Sequence, residues 1–129
     1  MPKQPVGGSR PAGAYSPGII AEGRFLYVSG QGPLRDGQVT GQGTGDQARV
    51  ALENLAGVLA SAGAGPGDVV RCGVFLADLS DFAEMDRAYR EAFPEPLPAR
   101  TTVGVTLPPG MRIEIDCVAV LPADGGPHT

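Results

Sequence analysis

Arg100 and Glu114 have the clearest chemical use in this chain, and both sit in the stretch from Pro98 to Asp116. A guanidinium offers a planar, two-pronged donor that fixes a carboxylate in one orientation. A carboxylate held nearby can position a water and carry protons. Two alternating runs flank Pro108-Pro109-Gly110, which stops one strand and turns the chain into the next. The alternation puts Thr101, Val103, Val105 and Leu107 on one face, and Arg100, Thr102, Gly104 and Thr106 on the other. Beyond the turn, Ile113, Ile115, Cys117 and Ala119 oppose Arg112, Glu114, Asp116 and Val118. Antiparallel pairing about Pro109 makes the apolar faces coincide. That pairing predicts that Arg100 and Glu114 share the polar face, with Glu114 opposite Gly104 and about 13 Å from Arg100 along the strand. The distance is too long for an ion pair. Either the two groups are opposite ends of a small polar site, or they are scattered charges on a solvated sheet face.

Other residues with chemical potential offer less. Cys72 and Cys117 fall on the apolar faces of predicted strands and read as buried, reduced thiols. No CxxC or Cys/His cluster suggests a metal site, and the only histidine, His128, lies in a Gly/Pro-rich end that suits no Ser-His-Asp or Cys-His mechanism. Gly30-Gln31-Gly32-Pro33 follows a strand that ends at Ser29, where a backbone can approach a ligand closely or simply turn. It is not a phosphate loop, having neither GxxxxGK[ST] nor a helix after GxGxxG.

The elements that must position these residues follow from periodicity. With 129 residues the chain suits one domain: residues 1–10 and 123–129 read as flexible tails, and 11–122 as a single folded unit. A net charge of −4 and a pI of about 4.8 argue against nucleic acid or an anionic membrane as the main partner. No apolar run approaches a membrane span and no signal peptide is visible, so the expected location is the cytoplasm. Two short strands are predicted around Glu22-Gly23 as a hairpin, and Asp36-Gly37 turns the chain into a third. A helix from Thr44, with Gln47 as a capping-box partner, carries Ala48, Ala51, Leu52, Leu55, Val58, Leu59 and Ala62 at helical spacing and stops at Gly63. Val69 to Ala77 reads as a fourth strand. A second helix from Ser80 or Asp81 buries Phe82, Met85, Tyr89 and Phe93 until Pro94 ends it. The order is β-β-β-α-β-α-β-β, an α+β fold with a mostly antiparallel mixed sheet and two helices on one face.

The run PARTTVGV…LPPGMRIEIDCVAV resembles the signature of the reactive-intermediate deaminase (Rid, or YjgF) family, also described as endoribonuclease L-PSP, and the likeness extends over roughly residues 10–121. The resemblance implies a chorismate-mutase-like fold, a homotrimer and active sites in clefts between subunits. It implies hydrolysis of reactive 2-imino and enamine acids (2-aminoacrylate, 2-iminobutanoate) to 2-oxo acids and ammonia, the reaction of a 2-iminobutanoate/2-iminopropanoate deaminase. Such substrates are released by pyridoxal-dependent dehydratases. Carried onto this sequence, Arg100 holds the substrate carboxylate and Glu114 handles water and protons, with Tyr15, Ser29, Gly30, Asp86 and Thr102 lining the substrate. No cofactor or metal is implied. Four positions depart from the family pattern: Asp86 for Asn, Ala14 for a Pro before the tyrosine, Gly32 for an apolar residue, and Thr102 for Cys. Two other classes remain open, a non-enzymatic trimer that binds small carboxylates and, against the acidic charge, an endoribonuclease or translation inhibitor.

Overall fold

The computed structural model describes residues 3–122. Its strands are β1 (Lys3–Val6), β2 (Gly18–Ala21), β3 (Phe25–Gln31), β4 (Leu34–Arg35), β5 (Gln38–Val39), β6 (Val69–Leu76), β7 (Ala99–Gly104) and β8 (Ile113–Val120). Its helices are α1 (Thr44–Ser61) and α2 (Phe82–Ala92). A four-stranded sheet has the order β3-β8-β6-β7, antiparallel except for the parallel β6–β7 pair. Both helices pack on one side of it. The core joins Ala48, Leu52, Leu55 and Leu59 of α1, and Met85, Ala88 and Tyr89 of α2, to Cys72, Val74, Ile113, Ile115 and Cys117 of the sheet. The α+β class, the two helices and the mixed sheet are as the periodicity predicts.

Three pairings differ from expectation. β7 and β8 do not form a hairpin: β6 lies between them, pairing β7 in parallel and β8 antiparallel. Period-two alternation says which residues share a face but not which strand is the neighbour. β2 and β3 do not pair either. β2 joins β1 in a separate two-stranded ladder, whereas β3 lies along β8. β1 itself falls within residues expected as a loose tail. It is held by Lys3, whose buried side chain donates from Nζ to the carbonyl of Val69 at 2.8 Å. The β4–β5 hairpin is the Asp-Gly turn expected from sequence, with Asp36 at φ 52° and Gly37 at φ 76°. Residues 123–129, including His128, lie outside the described residues.

The start of α1 also differs from the predicted capping box. Gly43 takes the N-cap position, and no side chain of α1 caps the helix. Acidic residues near the start of α2 serve instead. Glu84 Oε2 accepts the Gly45 N–H at 2.7 Å, and Asp81 Oδ2 accepts the Thr44 hydroxyl at 2.8 Å. Both carboxylates sit at the positive end of the α1 dipole, so one set of contacts caps α1 and fixes α2 beside it. Gln47 is buried and ties the same corner to the loop before β8. It donates to the carbonyls of Gly41 and Gly110 and accepts the Arg112 N–H. Glu84→Ala is expected to lower unfolding stability by about 1 kcal/mol, the usual worth of a cap. A shift in denaturant midpoint with unchanged slope checks this.

Candidate functional site

The spacing within α2 explains how the first cluster forms. Phe82, Asp86 and Tyr89 follow one another at intervals of four and three residues, so they share a helix face. That face looks onto the β7 edge of the sheet, where Arg100 lies in register with Cys72 of β6. Arg100 therefore points toward the helices, into a site built for a cation. Its Nη1 donates to Asp86 Oδ1 at 2.8 Å and to the carbonyl of Ala14 at 3.3 Å. Its Cζ stands 4.7 Å from the Tyr89 ring centroid and 5.2 Å from those of Tyr15 and Phe82. Three aromatic rings at such distances attract the guanidinium without competing for its protons.

The turn through residues 11–17 closes this cluster. Ala14, fully buried, donates its N–H to Asp86 Oδ1 at 2.9 Å, so the same oxygen holds both Arg100 and the turn. The Ser16 N–H bonds the carbonyl of Pro98 at 3.0 Å, and the Tyr15 hydroxyl accepts the Ala12 N–H at 3.0 Å. A side chain at Gly13 would put its Cβ 2.9 Å from Arg100 Nη2 and 2.9 Å from Asp86 Oδ1, so the glycine is a steric requirement of the site. Ala14 and Asp86, two of the departures from the family pattern, thus prove to be bonded to each other. A proline at 14 would have no N–H to give.

Arg100 is left half satisfied. Its side chain is 1 % exposed, yet Nε and Nη2 have no hydrogen-bond partner among the described residues. Those two atoms form the side-on edge of the guanidinium fork, the edge that accepts both oxygens of a carboxylate. Leaving such donors buried is costly unless an acceptor meets them. Thr102 lies two residues on, paired with Val74 on the same side of the sheet, and its buried Oγ1 also lacks a partner among the described residues.

Glu114 is elsewhere. It pairs with Phe75 between two fully buried neighbours, Ile113 and Ile115, and so points to the opposite, helix-free face. The expectation that Arg100 and Glu114 share a face is therefore corrected. β7 turns Arg100 and Thr102 inward and Thr101 and Val103 outward, because the space behind this edge is filled by α2 and the 11–17 turn. From two strand spacings and a three-residue offset, the Cα atoms of Arg100 and Glu114 are about 14 Å apart. The glycine that makes room for Glu114 is Gly30, not Gly104. A Cβ on Gly30 would collide with the Glu114 carboxylate, whereas one on Gly104 would meet Leu79. Ser29 and Gly30 form an irregularity in the β3–β8 register between Val28 and Gln31, and both are exposed.

The predicted site residues thus fall into two groups. Tyr15, Asp86, Arg100 and Thr102 gather behind the β7 edge; Ser29, Gly30 and Glu114 gather on the open face. Gly13, Phe82 and Tyr89 belong to the first group and were not anticipated as site residues. Phe82 and Tyr89 read as core, although the Asp86 between them at site spacing was the available signal. Burial pushes the Tyr89 phenol far up and the Cys72 and Cys117 thiols up to about 12, so these neighbours stay neutral. Among the described residues, no group of three or more His, Cys, Asp or Glu is placed to hold a metal ion.

Comparison with known proteins bears on this arrangement. The family model described as Endoribonuclease L-PSP matches residues 7–121. The chain belongs to this family, the Rid/YjgF proteins. Protein mmf1 of Schizosaccharomyces pombe, a mitochondrial protein, is 42% identical over 113 residues, covering 84% of this chain and 69% of its own. The 2-iminobutanoate/2-iminopropanoate deaminase of Rattus norvegicus is 40% identical over 111 residues, 84% of this chain and 80% of its own. The crystal structure of E. coli TdcF with bound serine superimposes with a TM-score of 0.70 at 34% identity, over 90% of this chain and 92% of that one.

Both thiols are expected to resist a thiol-exchange reagent at pH 8 in the native Rid-family fold and to react on unfolding, since the thiolate is the reactive form. Fast reaction of either cysteine in the native protein would contradict their placement against Tyr89 and the core.

Proposed function

We propose that this protein hydrolyses small 2-imino acids to 2-oxo acids and ammonia. The observation that carries this reading is the buried Arg100, clamped along one edge by Asp86 and Ala14 and unmatched along the other. That arrangement suits a carboxylate, which every 2-imino acid bears. The family membership, and the name of the rat relative, support imine deamination as the chemistry.

The steps balance simply. Water adds to the imine carbon of the protonated substrate, the resulting amino alcohol passes a proton to nitrogen, and ammonia leaves as the C–N bond breaks, giving the 2-oxo acid and ammonium. Arg100 fixes the carboxylate, and the backbone at Gly30 and Thr102 with Ser29 and Tyr15 shapes the cleft. Glu114 positions the water and moves the protons. One such group is worth about 10²- to 10⁴-fold, which suffices for a reaction that water performs unaided.

Arg100 and Glu114 face opposite sides of one sheet, so both can serve one substrate only if a second copy supplies the missing half. A homotrimer, with the open sheet faces turned inward and sites in the clefts between copies, meets that need. The open face carries Phe25, Tyr27 and Val103, all well exposed in one chain, which favours its being covered. A second reading rests on the independence of the Arg100 cluster from Glu114. A trimer that binds small carboxylates without turnover needs only the first, and the serine bound to the E. coli neighbour fits either reading. The net charge of −4 favours both over an RNA substrate.

The test is 2-oxo acid formation from 2-aminoacrylate generated in situ by a serine dehydratase. We expect acceleration over the spontaneous rate, lost in Arg100→Ala and reduced 10²-fold or more, on the order of one acid/base contribution, in Glu114→Gln. Gly30→Ala, which drives the Glu114 carboxylate aside, should behave like Glu114→Gln while still binding a 2-oxo acid. Turnover undiminished in Glu114→Gln would assign the proton work to another group. Absence of any acceleration alongside Arg100-dependent binding would favour the carboxylate binder.

A further inference from the structure

We infer that Asp86 makes this pocket selective by charge, favouring imino acids with one carboxylate over those with a second acidic group. The inference rests on the carboxylate-binding role of Arg100 proposed above and deepens it to a substrate class.

Asp86 and Arg100 form a nearly enclosed pair, their side chains 17% and 1% exposed. The pair is neutral before any ligand arrives. The three rings around the guanidinium bring no charge, Tyr89 being held as the neutral phenol by its burial. Among the described residues, the only hydrogen-bond and ion-pair partners of the Arg100 guanidinium are Asp86 and the carbonyl of Ala14. A carboxylate at the Nε/Nη2 edge therefore shares one cation with the carboxylate already present. A monocarboxylic imino acid, protonated at nitrogen, adds no net charge to the site, and its 2-oxo analogue adds one negative charge. A dicarboxylic ligand adds one negative charge more than its monocarboxylic counterpart in either form, where water screens poorly. At the separations set by one guanidinium and a short carbon chain, each uncompensated charge is worth on the order of tenfold in affinity.

The geometry shows that charge, and not hydrogen bonding, is what an aspartate adds here. Oδ1 alone accepts both the Arg100 Nη1 and Ala14 N–H bonds, and Oδ2 makes no hydrogen bond among the described residues. An asparagine amide oxygen could accept the same two bonds. Asp86 is thus a positioning residue for Arg100 whose second role is to set the charge of the pocket.

The test is equilibrium binding, by calorimetry, of 2-oxopentanoate and 2-oxoglutarate, which share a five-carbon skeleton and differ in the charge at its end. Wild-type protein, Asp86→Asn and Arg100→Ala are compared, with folding verified by thermal melts. Wild-type protein is expected to bind 2-oxopentanoate about tenfold or more tightly than 2-oxoglutarate. Asp86→Asn is expected to strengthen binding of both and to narrow that ratio severalfold. Equal binding of the two acids by wild-type protein overturns the inference, whatever the variant does. So does a ratio unchanged in a folded Asp86→Asn, and in that case loss of binding in Arg100→Ala keeps the carboxylate clamp intact. If wild-type protein binds neither acid, or Arg100→Ala binds them unchanged, the clamp fails and the charge filter with it.

Discussion

A buried arginine is the constraint around which this chain is arranged. Taking a guanidinium out of water costs several kcal/mol unless its protons and charge are met, and removing one partner of a buried pair typically costs about 3–5 kcal/mol. Here the compensation comes from three separate parts of the chain. α2 supplies Asp86 and two rings, the 11–17 turn supplies Tyr15 and the Ala14 backbone, and β7 supplies the arginine itself. α2 and β7 follow one another along the chain, but the turn is far from both, Ala14 lying 72 residues from Asp86 and 86 from Arg100. The ion pair therefore does for the β7 edge what apolar packing does between α1 and the centre of the sheet. It holds the helix, the turn and the strand in one arrangement.

The same constraint explains where the sequence was legible and where it was not. The helices, their stripes and the burial of Cys72 and Cys117 follow from periodicity alone, because these positions face a conventional apolar core. The α+β class followed as well. β7 was misread because its inward face is Arg100 and Thr102, whereas its outward face includes Val103, the reverse of what an apolar-in rule predicts. A strand whose core side is a polar site carries an inverted pattern, and only the partner segments reveal it. The hairpin about Pro108-Pro109-Gly110 failed for a related reason. Those residues do turn the chain, but long enough to step over β6.

The site was legible residue by residue and not as a geometry. Tyr15, Asp86, Arg100 and Thr102 came from a likeness to a known signature, and they do assemble. Nothing in a single sequence says that Asp86 Oδ1 bonds the Ala14 N–H, since the two are 72 residues apart. Gly13 was invisible for the same reason: its importance lies in what a Cβ would strike, which depends on a contact across the fold. β1 was missed because its anchor is one lysine amine on a distant backbone carbonyl, a contact without any hydrophobic periodicity.

The division of the sheet into two chemical faces carries the deepest consequence. Ile113 and Ile115 point into the core, so Glu114 between them must point away from it; Arg100 must point inward to find its anion and its rings. No rotamer of either side chain can pass through a packed sheet. Within one chain the Arg100 guanidinium and the Glu114 carboxylate are therefore insulated from each other. Each can be tuned without disturbing its partner. The arginine side accommodates a charged neighbour, Asp86, while Glu114 keeps its place over the Gly30 backbone. Chemistry that needs both groups then depends on how copies of the chain meet. Under the proposed function, a change at a contact between copies alters turnover and leaves the Arg100 cluster able to bind.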